Sequence, residues 1–192
     1  MKVEDSGMPE EIYWNSLFDI EGILEWLNLP EETTKIVEIG CGYGTFTVPL
    51  ARRLTGKIHT FDIEPCMIEI AQENAQKAGV SNITFELRDV LEQGTDLEPN
   101  STDMVLLFNI LHLSEKRIFL KEASRILKNG GTVAIIHWRT DMITPRGPTM
   151  NTRPDKEQIL SASDGLNLDY HGNSEILEPY HWGIQLVKEV MI

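Results

Sequence analysis

The sequence predicts an α/β fold: a doubly wound, mostly parallel seven-stranded sheet with helices on both faces and an antiparallel last strand. Three observations carry this. From Ile36 to Trp138, short β-branched or apolar runs alternate with segments of helical spacing, which implies right-handed crossovers. The stretch Ile36 to Arg53 reads as strand, glycine turn and helix. Ile36, Val37 and Ile39 precede Gly40, Gly42 and Gly44, and Phe46, Leu50 and Leu54 follow at four-residue spacing. The last two runs have no helix between them and should pair antiparallel.

Taken in order, Pro9-Glu10-Glu11 opens a first helix, because proline suits a first turn and acids suit its positive end. Asp19 can cap a second, where Ile20, Ile23, Leu24 and Leu27 repeat at helical spacing. Residues 1–30 are thus expected to form a helical N-terminal cap on the sheet, with Tyr13 or Trp14 as a candidate lid, and residues 1–8 look loosely attached. Thr55-Gly56 is expected to end the helix after the glycine turn. Lys57–Ile63 is a second strand, and Pro65 starts a helix on Met67, Ile68, Ala71 and Ala75 that Gly79 stops. Ile83–Leu87 alternates like a strand, and a polar loop over Gln93–Ser101 leads to the apolar run Asp103–Phe108, a buried parallel strand. Ser114 can cap a helix with Ile118, Phe119, Ala123, Ile126 and Leu127 on its apolar side, ended by Asn129-Gly130-Gly131. Thr132–Trp138 is a fifth strand. The irregular segment 139–153, with Pro145, Gly147 and Pro148, is a candidate acceptor-site loop. Pro154 opens the last helix, before strands over Leu166–His171 and Trp182–Lys188. One domain is expected over residues 1–192, without repeat or linker.

The bulk properties narrow the setting. A content of 41% hydrophobic and 24% charged residues suits a soluble domain with a real core. No run approaches the roughly 20 apolar residues of a membrane span, and the start lacks the apolar core of a signal peptide. A net charge of −13 repels phosphate backbones, so neither nucleic acid nor a membrane is expected as partner. Two cysteines, Cys41 and Cys66, make no disulfide framework, and a reducing, cytoplasmic setting follows. No metal site is expected; a homodimer is the expected form of any self-association.

In a doubly wound sheet, ligands sit beyond the carboxyl ends of the strands. Glu38 with the glycine turn, Asp62-Ile63, Asp89-Val90 and Phe108-Asn109 all fall there. Asp62, 18 residues past Gly44, is placed to take two ribose hydroxyls. Asp89, after the third strand, needs another donor, such as an exocyclic amine. The glycines depart from the dinucleotide fingerprint, because Thr45 stands where its third glycine belongs. No Gly-Lys-Ser/Thr follows, and Glu38 before the turn suits a ligand with positive charge better than a pyrophosphate.

On these residues, Val37-Glu38-Ile39-Gly40-Cys41-Gly42-Tyr43-Gly44-Thr45 resembles the first motif of the class I S-adenosylmethionine-dependent methyltransferases. Phe61 to Met67 resembles their second, Arg88-Asp89-Val90 the adenine motif, Asp103 to Leu113 the fourth, and Leu127 to Val133 the turn before the fifth strand. The likeness covers about residues 34–138 in order, and the ubiquinone/menaquinone-biosynthesis-like, type 11 group is its nearest flavour. The resemblance implies the Rossmann-like methyltransferase fold, with the last strand inserted antiparallel. It implies S-adenosylmethionine as cofactor and S-adenosylhomocysteine as product. Asp62 would then hold the ribose, Ile63 would pack on adenine, and Asp89 would accept from its amine with the Val90 backbone nearby. Gly40, Gly42, Gly44 and Asn109 would flank the methionine part, and Glu38 would face its amino end.

Methyl transfer from a sulfonium needs positioning and exclusion of water, and a base only where the acceptor must lose a proton. His112 and His137, at the carboxyl edge, are the candidate catalytic residues. Arg139 and Arg146 could grip an anionic acceptor, and Tyr13, Tyr180 and His181 could line its pocket. Phe108-Asn109-Ile110-Leu111 lacks the Asn-Pro-Pro-Tyr type motif of adenine and glutamine N-methylation, and no target-recognition domain is evident. A small-molecule acceptor is therefore expected. A protein side chain, a non-catalytic cofactor-binding role and a nicotinamide-dependent oxidoreductase stand as alternatives.

Overall fold

A computed structural model of the chain describes residues 7–189; most of the stretch expected to be loosely attached, residues 1–8, lies outside it. Two short helices, α1 (Glu11–Asn15) and α2 (Ile20–Trp26), precede the alternating part. That part runs β1 (Lys35–Ile39), α3 (Thr47–Arg53), β2 (Lys57–Asp62), α4 (Pro65–Ala78), β3 (Ile83–Leu87), α5 (Val90–Gln93), β4 (Thr102–Phe108), α6 (Lys116–Ile126) and β5 (Leu127–Trp138). It ends with α7 (Lys156–Ser163), β6 (Leu168–Leu177) and β7 (His181–Lys188). The sheet order is β3-β2-β1-β4-β5-β7-β6. The first five strands pair parallel, and β7 inserts antiparallel between β5 and β6. The mixed seven-stranded sheet is the one expected from the sequence.

Strand alternation divides the core into two layers. Ile36, Met104, Leu106, Ala134, Ile136 and Trp138 point to the side covered by α2 and α3. Val37, Val105, Leu107, Val133 and Ile135 point to the side covered by α6 and α7. The cap is pinned as its sequence suggests: Asp19 accepts from Gly22 N at 3.1 Å. The Trp26 ring then packs close on Gly183 of β7, where an added Cβ would fall 2.7 Å from its Cη2. Gln185 Nε2 donates to Trp26 O at 2.9 Å.

Several ends differ from the sequence expectation, each for a local reason. Helix α3 stops at Arg53, and Gly56 is no left-handed stop; a Cβ there would strike the Thr34 backbone at 2.2 Å, so close strand approach requires the glycine. Ser114 does not cap α6: its hydroxyl donates to Glu115 Oε2 at 2.6 Å, and Glu115 takes the N-cap position. Asn129-Gly130-Gly131 does not end α6 either; it lies within β5, where the register against β4 jumps from Thr102–Leu127 to Met104–Thr132. Strand β6 runs on to Leu177, with an irregularity between Tyr170 and Ser174. Helix α4 follows expectation, with Pro65 in its first turn and Gly79 in the left-handed conformation at its end.

Candidate active site

The parallel strands end at one edge of the sheet, and there the chain forms an open-sided cavity of about 690 Å³. The glycine turn forms its floor. Gly40 N and Cys41 N both donate to Phe61 O, at 2.8 and 3.2 Å, so the turn is fastened to the end of β2. Gly40 and Gly42 have φ of 85° and 51°, a region that side chains disfavour. A Cβ on Gly40 would lie 2.8 Å from Ile110 Cγ2 on the cavity wall. Glycine here keeps the main chain open to a ligand.

Asp62 ties the same corner together. Its Oδ2 accepts from Gly42 N at 2.8 Å and its Oδ1 from Glu64 N at 3.0 Å. Burial raises its carboxyl above the usual range, and those two N–H groups oppose the shift. Each oxygen keeps a further lone pair, which suits a pair of neighbouring hydroxyls. Ile63, Asp89 and Val90 lie on the same wall. Asp89 also caps α5, a helix the sequence reading did not contain, through Leu91 N and Glu92 N at 3.0 and 3.3 Å.

Glu38 is 1% exposed and lies behind the turn, off the cavity wall. Thr47 Oγ1 donates to it, so the first turn of α3 faces a carboxyl of the protein. Burial pushes Glu38 up to about 8, the Thr47 bond opposes, and the charge of Asp62 adds to the rise. Cys41 is buried, its thiol pushed far up by that burial and by both acids, so it fills the turn as an inert group.

Asn109, at the end of β4, has φ 58° and donates its backbone N–H to Ile136 O at 2.8 Å. Its side-chain Oδ1 and Nδ2 are both buried, with no hydrogen-bond partner among the described residues, on the wall of the cavity. Such a pair costs a few kcal/mol unless a ligand satisfies it. His112 is on the same wall, with Nδ1 3.2 Å from Asn109 O. A carbonyl only accepts, so Nδ1 carries the proton and Nε2 is the basic atom. Burial lowers the His112 pKa below its usual 6.5, the Asn109 bond opposing, and the ring is neutral at physiological pH.

The structure does not bring His137 to this wall. It lies inside β5 with 0% exposure, on the α6 and α7 side of the sheet, its ring centroid 5.9 Å from that of His112. Trp138 N donates to its Nδ1 at 2.9 Å, and burial keeps it neutral. The expectation of His137 as a base is corrected by strand alternation, which gives the cavity-facing place to Trp138. His181 is likewise fully buried, between Phe18 and Trp138 at ring-centroid distances of 4.3 Å each, and burial drops it to about 3. Tyr13 and Tyr180 are off the wall; Arg139 pairs with Asp141 and Glu178 instead.

Of the two lid candidates, Trp14 and not Tyr13 borders the cavity, and neither Trp138 beside it nor Arg153 over that indole was foreseen. Trp14 and Trp138 meet edge to face at 6.2 Å, and Gly147 lies against the Trp138 indole, where a Cβ would fall 2.7 Å from Cδ2. Arg153, nearly buried, shapes the segment 139–153: it donates to Pro148 O, Arg139 O, Thr144 Oγ1 and Arg146 O and lies 5.9 Å over Trp138. The irregular composition of the loop signalled its place, but nothing in its spacing singled out Arg153.

Strand order, glycine floor and acid-tipped β2 define a protein that takes a nucleoside-like ligand across the sheet edge, in the methyltransferase variant of the doubly wound fold. Comparison with known proteins agrees: residues 30–171 match the family described as Methyltransferase domain, and the chain belongs to that family. Its class uses S-adenosylmethionine as methyl donor. Among relatives, the chain is 24% identical over 147 residues to ajmaline N-methyltransferase of Rauvolfia serpentina, covering 73% of this chain and 49% of that one. It is 37% identical over 87 residues to 23S rRNA (uracil(1939)-C(5))-methyltransferase RlmD of Salmonella typhimurium, covering 44% of this chain and 20% of that one. The chain thus spans between a fifth and about half of these relatives. In fold it is similar to a SAM dependent methyltransferase from Aquifex aeolicus, with TM-score 0.78, 24% identity and 90% of each chain covered.

Proposed function

We propose that this chain transfers a methyl group from S-adenosylmethionine to a small-molecule acceptor bound under Trp14 and Trp138. One observation carries the reading: a single cavity that joins the Asp62 corner, the orphaned amide of Asn109 and the basic Nε2 of His112 beside the aromatic rings of Trp14 and Trp138. The residues present fit the donor, because open glycine backbone, a two-oxygen acceptor at Asp62 and an unpaired amide at Asn109 suit a ligand with a sugar diol and an amino-acid end.

When bound, the donor supplies a methyl group already activated on a sulfonium. The chain's part is to hold, aim and dehydrate. Asp62 takes the ribose hydroxyls, Ile63 and Val90 pack beside the base, and Asp89 accepts from its amine. Gly40 and Gly42 keep the floor low under the methionine part, with Asn109 toward its amino end, while Gly44 packs the turn against Val48 and Ala71 and Glu38 braces it from behind. His112 Nε2 receives the proton of an acceptor O–H or N–H as the bond forms, and Asn109 O holds the ring in that tautomer. Trp14, Trp138 and the loop at Pro145–Pro148 keep water out.

An acidic chain with net charge −13 and a roofed cavity favours a small acceptor over a polyanion. The likeness to the rRNA enzyme is the observation that favours RNA as a second reading. A screen of metabolite extracts and of RNA with labelled methyl donor, followed by mass identification of the product, tests both. Label in a low-mass product supports the proposal, and label in RNA alone refutes it. Among the described residues no helix is long and apolar enough to cross a membrane.

A further inference from the structure

We infer that Arg146 is a specificity-determining residue for the donor's amino-acid end and takes its α-carboxylate. The inference rests on the function proposed above. The cavity wall carries three carboxylates, Asp62, Glu64 and Asp89, and two guanidinium groups, Arg88 and Arg146. Arg88 is engaged, with Nε 2.5 Å from Glu86 Oε1 and an amino nitrogen 4.0 Å from Asp96 Oδ2. Arg146 has no carboxylate partner among the described residues; its side chain donates to the backbone, Nη2 to Gly7 O at 2.6 Å. In a chain with net charge −13, a cation left unpaired on a cavity wall is poised for an anionic group.

Position says which anionic group. Gly7 and Met8 lie on the glycine-turn side, and Met8 Cε stands 3.4 Å from where a Gly42 Cβ would be. The N-terminal segment is fastened to that turn, with Tyr43 Oη donating to Pro9 O at 2.7 Å and Thr45 Oγ1 to Asn15 Oδ1 at 2.7 Å. Arg146 is therefore tethered above the glycine floor, away from the base-binding corner at Ile63 and Val90. The amino-acid end of the donor carries an ammonium and a carboxylate on one carbon. The orphaned Asn109 Oδ1 on the wall accepts from the first, and Arg146 stands across the turn for the second. The loop 139–153 then reads the donor as well as bordering the acceptor.

Titration calorimetry on the full chain tests this with two nucleosides. S-adenosylhomocysteine carries the amino-acid end, and 5′-methylthioadenosine lacks it. Arg146→Gln keeps an N–H donor for Gly7 O and loses the charge. The expected result is about tenfold weaker binding of S-adenosylhomocysteine, unchanged binding of 5′-methylthioadenosine, and partial recovery in Arg146→Lys. Unchanged affinity for S-adenosylhomocysteine overturns the inference. An equal loss for both nucleosides also overturns it, because Arg146 would then act by docking the loop. A wild-type chain that binds neither nucleoside refutes the functional reading itself.

Discussion

Replacing Asp62 by asparagine keeps the shape of the side chain and removes its charge and one acceptor oxygen. The carboxylate accepts from Gly42 N and Glu64 N, one on each oxygen, at 2.8 and 3.0 Å. Asp62 is 9% exposed, so little water can replace a lost partner. In Asp62→Asn one of these N–H groups faces an NH2 group and loses its acceptor, which costs about 1–3 kcal/mol of stability. The ribose loses at least one charged acceptor as well, which costs about 1.5 kcal/mol or more of binding, or tenfold in affinity. The two consequences are measured separately, by thermal unfolding of the free protein and by calorimetric titration with S-adenosylhomocysteine. A variant that melts lower yet binds with wild-type affinity would show that Asp62 only fastens the glycine turn. That result would refute its placement at the ribose.

Two further predictions concern protonation. His112 must be neutral to accept a proton, and its pKa is depressed, so the rate on an acceptor that loses a proton should rise with pH through a value below 6.5 and then stay flat. His112→Gln should remove that inflection and lower kcat by about 10²–10⁴ at an unchanged donor Kd, as pH–rate profiles would show. At the opposite edge of the sheet, Asp103 accepts from Thr34 and Lys35 N–H groups at 2.9 Å and pairs with Lys128 at 2.5 Å. Burial opposes ionisation there, but these donors win and hold its carboxyl at about 2. The folded value lies below the unfolded one, so the stabilisation is present above about pH 4 and fades as pH falls toward 2. Asp103→Asn should cost about 1 kcal/mol at pH 7, after allowance for solvent screening, and little near pH 2, in denaturant unfolding, with unchanged nucleoside binding.

The strands were legible because each signals itself locally. Ile83–Leu87 has the bounds read from its alternation, and β4 begins one residue before the Asp103 expected. The antiparallel pairing of the last strands followed from the missing helix between them. The meeting of Asp62, Asp89 and Asn109 on one cavity wall was legible for a related reason: each stands at or just past a strand end, and parallel strands bring their ends to one edge. The far side of the cavity was not legible. His137 and Trp138 are neighbours on the end of a strand buried on both faces, and the run Val133–Ile136 before them has no polar alternation to say which of the two faces the cavity. Trp14 meets Trp138 across more than a hundred residues of chain, and no spacing encodes such a meeting or the packing of Gly147 and Arg153 on the same indole. Short elements were missed for want of a period: α5 has four residues, set by the Asp89 cap.

The most direct test of the central claim, that the cavity at the strand ends is built for a sulfonium nucleoside, is a calorimetric competition on the wild-type chain between S-adenosylhomocysteine and NADH. Glu38 behind the turn and Thr45 in place of the third fingerprint glycine predict tight binding of S-adenosylhomocysteine with one site per chain and no heat with NADH. Tight binding of NADH without binding of S-adenosylhomocysteine would contradict the account.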